Sequence, residues 1–275
     1  MLSTILGLNR STLYVPQNRD RSDRAEASKV DELLASNPFY GHRRVAICFG
    51  WSSNKARRIM RKYRIYPTFK KPRFILKTAD INQPPQPYQN HIKLLQKDNT
   101  ITGITKPNTV WSTDFTYIKY KSSFLYVATV IDTYSKDIVG FHISNRHTTN
   151  LISKALNMAL RKHNKPQYHH SDQGSEYRSY VYIDYLKKNG ITVSMSKKAS
   201  PWENGYQESF YGKFKQELGN VNQYDSEIEL IEAIVLQIHY YNNKRIHTAI
   251  RDIPSLFRQK ELEKIEMRKC TEKRI

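Results

Sequence analysis

Cysteine is almost missing from this chain of 275 residues: Cys48 and Cys270 lie far apart, with no Cys or His neighbours at zinc-ligand spacing. That argues against a disulfide-framed fold and a zinc finger, and fits a reducing, cytoplasmic compartment. Long apolar runs are missing too. No stretch approaches the roughly 18 apolar residues of a membrane helix, and the opening MLSTILGLNR lacks the leading basic region and apolar length of a signal peptide. The expectation is a soluble intracellular protein with no membrane partner. Internal repeats, extended low-complexity tracts and a heptad zipper are also absent. Acids are in short supply: 25 Asp and Glu against 45 Lys and Arg leave a formal charge of +20. A polyanion is the natural partner for that excess, because each basic side chain near a phosphate releases condensed counterions. A solvated basic surface or a ribosome-associated protein would carry the same charge.

What is present falls into two parts, one sizeable core and a smaller appendage. Ala27, Val30, Leu33 and Leu34 recur at helical spacing, and Asn37-Pro38 ends that helix. The stretch RRVAICFGWSSNKARRIMRKYRI reads as two helices about a turn, with Gly50 stopping the first and Ser52 or Ser53 capping the second. The second would carry Arg57, Arg58, Arg61 and Lys62 around an apolar stripe of Ala56, Ile59, Met60 and Tyr63. Such a helix fits a DNA groove, and a small bundle with a solvated basic face is the plainer alternative. These residues predict a helical DNA-binding region over 1–75, with a helix-turn-helix at about 38–66. A proline-rich linker follows over 76–106, where Pro84, Pro85 and Pro87 favour extended backbone.

From Asn108 the pattern becomes strand-like, rich in Val, Thr, Tyr and Phe. TVWSTDFTYIKY, FLYVATVIDTYS and DIVGFHIS read as three consecutive strands. In the first, Trp111, Thr113, Phe115 and Tyr117 share one face and Asp114 lies on the other with Ser112 and Thr116. A mid-strand acid needs a metal, a base or water. A helix over TNLISKALNMALRKH leads to a strand through Tyr168–His170 with Asp172 at its carboxyl end, a position where open α/β sheets gather ligands. SYVYIDYLKKNG reads as a helix and ITVSM as a short strand. The loop SKKASPW then carries Lys197 and Lys198. On the helix ENGYQESFYGKFKQEL, adjacent turns offer Asn204, Glu208 and Lys215 to one site, with Phe210, Phe214 and Leu218 as the opposing apolar stripe.

Asp114, Asp172 and Glu208 are hard oxygen ligands on separate elements, a set that suits Mg²⁺ or Mn²⁺. Two ions about 4 Å apart would activate the attacking hydroxyl and stabilise the leaving oxygen. Taken singly, Glu208 reads as a surface glutamate, Asp172 as a turn cap, and Asp132, after LYVATVI, as a competing candidate. His169 and His170 read as DNA or structural contacts.

Together, WSTDFTYI, VIDTYSKDIVGF, HSDQGSEY, SMSKKASPWENGYQESF and YNNKRIH resemble the second-frame transposases of the IS3 insertion sequences, which share a DDE catalytic core with retroviral integrases. Thirty-five residues separate Asp172 from Glu208, that family's characteristic spacing. FYGHRRVAICFGWSSNKARRIMRKYRI is similar to the helix-turn-helix that precedes its core. The family often has Gly where Ala199 stands and Ala where Gly205 stands.

The resemblance implies a ribonuclease H-like α/β core over 107–262, a mixed five-stranded sheet flanked by helices and preceded by the small all-α region, with a charged tail over 263–275. It implies a DDE transposase that uses Asp114, Asp172 and Glu208 as catalytic metal ligands for DNA cleavage at element ends and strand transfer. Asp132 becomes a structural residue. DNA contacts would come from Arg57, Arg58, Arg61, Lys62, Lys197, Lys198, Asn204, Lys215, Arg245 and His247, with Arg245 gripping a phosphate bidentately. The expected partners are double-stranded DNA, further copies of the chain on that DNA, and an upstream-frame protein as a fusion. The expected location is cytoplasmic and nucleoid-associated. The rivals are a ribonuclease H-type nuclease without strand transfer and a catalytically inactive DNA-binding regulator.

Overall fold

The computed structural model describes residues 16–68, 88–95, 103–197 and 205–272 together with residues 5 and 7. Lys198, Asn204 and most of the expected linker lie outside these described residues. The chain forms two compact units, 1–73 and 74–275.

In the first unit, α1 (Pro16–Ser36), α2 (His42–Phe49) and α3 (Ser53–Lys62) form a small all-α body. Its interior is built from Ala27 and Val30 of α1, Val45 and Ala46 of α2, and Ala56, Ile59 and Met60 of α3. Gly50 closes α2 at φ 64°, in the left-handed region that costs glycine least. Ser52 caps α3 by accepting the Lys55 N–H at 3.2 Å, as its position in WSSNK predicts. Both helix ends therefore fall where the sequence places them. The helix α1 begins earlier than its apolar periodicity indicates, taking in the polar stretch from Pro16.

The second unit follows the short helix α4 (His91–Leu94) with β1 (Val110–Tyr120), β2 (Ser123–Asp132), β3 (Ile138–Ser144), α5 (Thr149–Lys162), β4 (Tyr168–Ser171), α6 (Tyr180–Lys188), β5 (Thr192–Met195), α7 (Gly205–Leu218), α8 (Glu227–Asn243) and α9 (Pro254–Glu272). A 3₁₀ turn (Val221–Gln223) joins α7 to α8. The sheet order is β3-β2-β1-β4-β5. β1, β2 and β3 pair antiparallel, whereas β4 and β5 extend the sheet in parallel. The expected mixed five-stranded sheet flanked by helices is what the chain forms.

Strand alternation divides the core. Trp111 of β1, Ala128 and Val130 of β2 and Val139 of β3 pack with Leu151, Ile152, Ala155 and Leu156 of α5 and with Tyr182 and Leu186 of α6. Ile118 and Tyr120, with Leu125, Val127 and Ile131, pack instead with Phe210, Tyr211 and Phe214 of α7 and Leu230, Ile234 and Ile238 of α8. Asp114 shares the parity of Ile118 and Tyr120, so it projects towards the α7 side. Val235 of α8 is 38% exposed, beside the buried stripe of Leu230, Ile234 and Ile238. At Gly140 of β3 a Cβ would lie 2.3 Å from the Ala155 carbonyl oxygen, so glycine is what lets α5 lie this close to the sheet.

The carboxylate of Asp132, fully buried at the end of β2, is consumed by the fold. It accepts the N–H groups of Asn108 (2.6 Å), Tyr134 (3.0 Å) and Ser135 (2.8 Å), and it pairs with Arg258 of α9 at 3.1 Å. Arg258 also approaches Asp137 at 3.7 Å and donates to Asn108 Oδ1 at 2.6 Å. A buried arginine thus ties the last helix to the start of the sheet, and Asp132 is a structural residue.

Candidate active site

The three acids stand on three elements, and the charges of Asp172 and Glu208 act on Asp114. β1 pairs with β4 in parallel register, Ser112 opposite His170. Two residues further along each chain stand Asp114 and Asp172, so neighbouring strands deliver their carboxylates side by side. β1 holds its course there because it is bonded on both edges, with Asp114 opposite Thr129 of β2. Beyond β4 the chain turns sharply. Asp172 Oδ1 accepts the Gly174 N–H at 2.9 Å and Gln173 Nε2 donates to the Ser196 carbonyl at 3.1 Å, which fixes the loop below the acid.

Glu208 arrives on α7, and two buried side chains beside it set that helix in place. Gln207 is fully buried, donating to the Ser112 carbonyl at 2.6 Å and accepting from Thr129 Oγ1 at 3.2 Å. One turn later the Tyr211 hydroxyl lies 2.8 Å from the Asp114 carbonyl oxygen, 3.1 Å from that of Val127 and 2.9 Å from Thr129 Oγ1. Gln207 and Tyr211 bracket Glu208 and tie its helix to the strand that carries Asp114. Glu208 itself is exposed.

Electrostatics record the convergence. Burial pushes the Asp114 carboxyl up to about 7; the charge of Asp172 adds to this and Glu208 adds a smaller push, against the Phe115 N–H that binds Oδ1 at 2.8 Å. Loss of surrounding water also raises Asp172, opposed by the Gly174 N–H and helped by Glu176. Among the described residues no Lys, Arg or His pairs with any of the three acids. Nor do any three His, Cys, Asp or Glu side chains among those residues already stand close enough to enclose a metal ion. The site is an uncompensated cluster of oxygen donors. An all-oxygen set of this charge fits a hard divalent cation, and the cation would relieve the repulsion that raises Asp114.

The expected DNA-contacting residues divide. On α3, Arg58 grips Asp23 of α1 with both Nη atoms, at 2.5 and 2.7 Å, and Lys62 pairs with Asp23 at 3.0 Å and with Asp20. Asp23 is buried, and the Arg58 guanidinium holds its carboxyl well below the usual range. Arg57, 3.3 Å from His42 Nε2, and Arg61 remain exposed; with Asn54, Arg58 and Lys62 they line an open groove of about 700 Å³. In the second unit Lys197 is exposed, and Lys215 sets its ammonium 4.8 Å over the Tyr117 ring. Arg245 corrects the expectation of a phosphate grip. It is 2% exposed, bound through Nε (3.0 Å) and Nη2 (2.6 Å) to Glu217, and lies over the Tyr241 ring. A buried guanidinium needs a buried anion, and Glu217 already supplies it. His247 forms a β-bridge with Asp252 and accepts the Ala249 N–H at 3.3 Å. His169 bonds Tyr182 Oη at 3.0 Å and His170 bonds Ser194 Oγ at 2.9 Å, so both read as structural.

Gln207 and Tyr211 were not among the expected site residues. A signal for the first was available: Gln207 lies in helical phase with Phe210, Tyr211, Phe214 and Leu218, on the buried face of α7.

Residues 104–201 match the Integrase core domain family, and residues 189–254 match a second family of the same description. The chain is 33% identical to transposase InsF of insertion sequence IS3A from Escherichia coli, over 62% of this chain and 59% of that protein. It is 32% identical to an uncharacterized transposase-like protein of Haemophilus influenzae, over 58% of this chain and 73% of that protein. In other curated relatives the matched segment spans between 53% and 61% of their own lengths. The integrase fold in the simian T-cell lymphotropic virus intasome superposes with a TM-score of 0.52 at 16% identity, over 82% of this chain and 73% of that one. The ribonuclease H-like arrangement of sheet and helices is therefore shared.

Proposed function

The chain belongs to the IS3 type of DDE transposases with an integrase core domain, and on that premise we propose that it cuts DNA at the ends of an insertion sequence and joins those ends to new DNA. The observation that carries the proposal is Asp114, a mid-strand carboxylate on which the charges of Asp172 and Glu208, from two other elements, both act, with no protein cation among the described residues paired to any of the three.

In this reading Asp114, Asp172 and Glu208 would hold Mg²⁺ or Mn²⁺, and two such ions would suit phosphodiester chemistry. The bound ions would supply charge stabilisation at the phosphate and lower the proton affinity of the attacking hydroxyl. The protein's own part is placement. β1 and β4 set the register of Asp114 and Asp172, and Gln207 and Tyr211 tie the helix that carries Glu208 to β1 and β2. Water serves as nucleophile in the cleavage step and the released 3′-hydroxyl in the joining step, each displacing in line, with no covalent protein intermediate.

The +20 charge favours duplex DNA as the partner, with Arg57, Arg61, Lys197 and Lys215 the exposed cations that favour phosphate contact. Arg58 and Lys62 are engaged with Asp23, so they support α3 more than they read DNA. Joining two element ends calls for more than one copy on the DNA, and an upstream-frame protein fused to this chain would add a further DNA-binding unit. The site of action is the cytoplasm, at the nucleoid; no described helix is long and apolar enough to cross a membrane.

The test is a strand-transfer assay with labelled element-end duplex in Mn²⁺. The expected outcome is cleaved and joined products with the wild type, and DNA binding alone with Asp172→Ala. Cleavage without joined products would instead identify a nuclease, and binding with neither product a regulator.

A further inference from the structure

Strand alternation puts Phe115, Tyr117 and Lys119 of β1 on one face of the sheet, with Tyr126 and Phe124 of β2 beside them in register. Phe115 and Tyr126 border the core, 6.5 Å apart, and His147 lies against both, 6.1 Å from the first ring and 4.9 Å from the second. Towards the hairpin turn the same face comes into solvent with its rings still in place. Tyr117 is 58% exposed and Phe124 41% exposed, and they meet edge to face at 5.7 Å. Antiparallel sheets usually set polar side chains where a face meets water. Here the solvent half of the hairpin carries a row of rings, flanked by Lys119 of β1 and by Lys215 of α7, whose ammonium stands 4.8 Å over the Tyr117 ring.

The row starts beside the acids. Phe115 follows Asp114, and Tyr117 stands three residues, about 10 Å, further along β1. Lys215 lies two turns past Glu208 on α7. His147 Nδ1 lies 3.1 Å from Oε1 of Glu176, four residues beyond Asp172. Alternation turns Tyr117 away from the face of Asp114, but β4 pairs with β1 only as far as Ser112, so past that residue one edge of β1 has no strand beside it among the described residues. Lys215 comes from the α7 side of the sheet and reaches the Tyr117 ring on the other, so the two faces meet around this edge. Flat rings with cations beside them suit nucleic-acid bases, which stack on aromatic faces whatever their sequence while basic side chains hold the backbone. A duplex hides its base faces in its own stack, so the bases that can use these rings are unpaired ones.

We propose that this row is a stacking platform for unpaired nucleotides of the DNA strand held at the acids: Tyr117 and Phe124 stack the bases, and Lys119 and Lys215 contact the adjoining phosphates. The inference rests on the proposed function and narrows its substrate to DNA with a single-stranded or opened stretch beside the bond that is cut. Neither Tyr117 nor Phe124 belongs to the two core clusters on the faces of the sheet, so substitution separates this contact from folding.

The test is fluorescence anisotropy of the full-length protein, without divalent cation, on a blunt duplex and on the same duplex with an unpaired oligothymidine tail on its 3′ or its 5′ strand. Wild type should bind one of the tailed duplexes about tenfold more tightly than the blunt one. Tyr117→Thr/Phe124→Thr, which puts β-branched residues on the strands in place of the rings, should lose that preference while binding the blunt duplex as wild type does and melting near it. Tyr117→Phe should keep the preference, since stacking uses the ring and not the hydroxyl. A wild type indifferent to both tails, or a preference that survives in the double variant, would overturn the platform and leave the proposed function standing, since duplex cleavage in Mn²⁺ is measured separately. Equal weakening on blunt and tailed duplexes would also overturn it. So would loss of self-association in the double variant with tail binding unchanged, which would give the rings to a second copy of the chain. Failure to bind or cleave any DNA would overturn the proposed function and the platform with it.

Discussion

Two clusters of carboxylates sit on the same sheet and are treated in opposite ways. At the end of β2, Asp132 and Asp137 surround the buried guanidinium of Arg258, and Asp132 takes three backbone N–H groups besides. On β1, after β4 and on α7 stand Asp114, Asp172 and Glu208, with no such cation paired to them among the described residues and with the charges of the latter two acting on Asp114. The first arrangement has its cation, although burial still raises the Asp137 carboxyl to about 6 against the charge of Arg258. In the second, burial raises the Asp114 carboxyl to about 7, with the charge of Asp172 adding to it. The proposed cation site requires this contrast: an arginine supplied to one set of acids and none paired with the other among the described residues.

Substitutions should therefore separate the two clusters cleanly. The largest effect is on chemistry: Asp114→Ala or Asp172→Ala should lower DNA cleavage by about 10³-fold or more, by analogy with the loss of a charge-stabilising group, while circular dichroism stays near wild type and the melting temperature does not fall. Arg258→Ala should do the reverse. Removing the cation strands two buried carboxylates and should cost about 3–5 kcal/mol of stability, read by urea denaturation. Gln207→Leu falls between them. It leaves the Ser112 carbonyl and the Thr129 hydroxyl without their partner on α7, costing about 1–3 kcal/mol. Because it loosens the helix beside Glu208, cleavage should fall by more than the lost stability explains when assayed well below the melting temperature.

The smallest effect is on pH dependence. An unfolded aspartate ionises near 3.8, whereas folded Asp114 keeps its proton to about 7. Between those values the folded chain binds more protons than the unfolded one. The contribution of Asp114 to stability therefore falls as pH rises from about 4 to about 7 and stays lowered above. Metal-free Asp114→Asn lacks this loss, so its melting temperature should gain on wild type by a few degrees across that window. A constant difference at every pH would mean that Asp114 is not held protonated.

Much of this was legible in the residues, and the exceptions have a common cause. Strand alternation placed Asp114 on the face opposite Trp111 and Phe115, and that is the face on which α7 packs. Gly50 and Ser52 marked their helix ends through backbone rules that need only local sequence. Glu208 alone looked like a surface glutamate and is indeed exposed; its place beside Asp114 depends on Gln207 and Tyr211 bonding to strands far away in sequence. Charge assignments failed for the same reason. Nothing local distinguishes Arg245, buried against Glu217, from Arg61, exposed on α3, or shows that Arg58 is held by Asp23 from an earlier helix. A basic residue's role depends on whether a distant acid reaches it first.

The most direct measurement of the contrast between the clusters is anomalous diffraction from crystals grown with Mn²⁺. The account predicts a manganese peak within about 2–2.4 Å of carboxylate oxygens of both Asp114 and Asp172, and none at Asp132 or Asp137. A site left empty at saturating Mn²⁺, or manganese bound beside Arg258 instead, would contradict it.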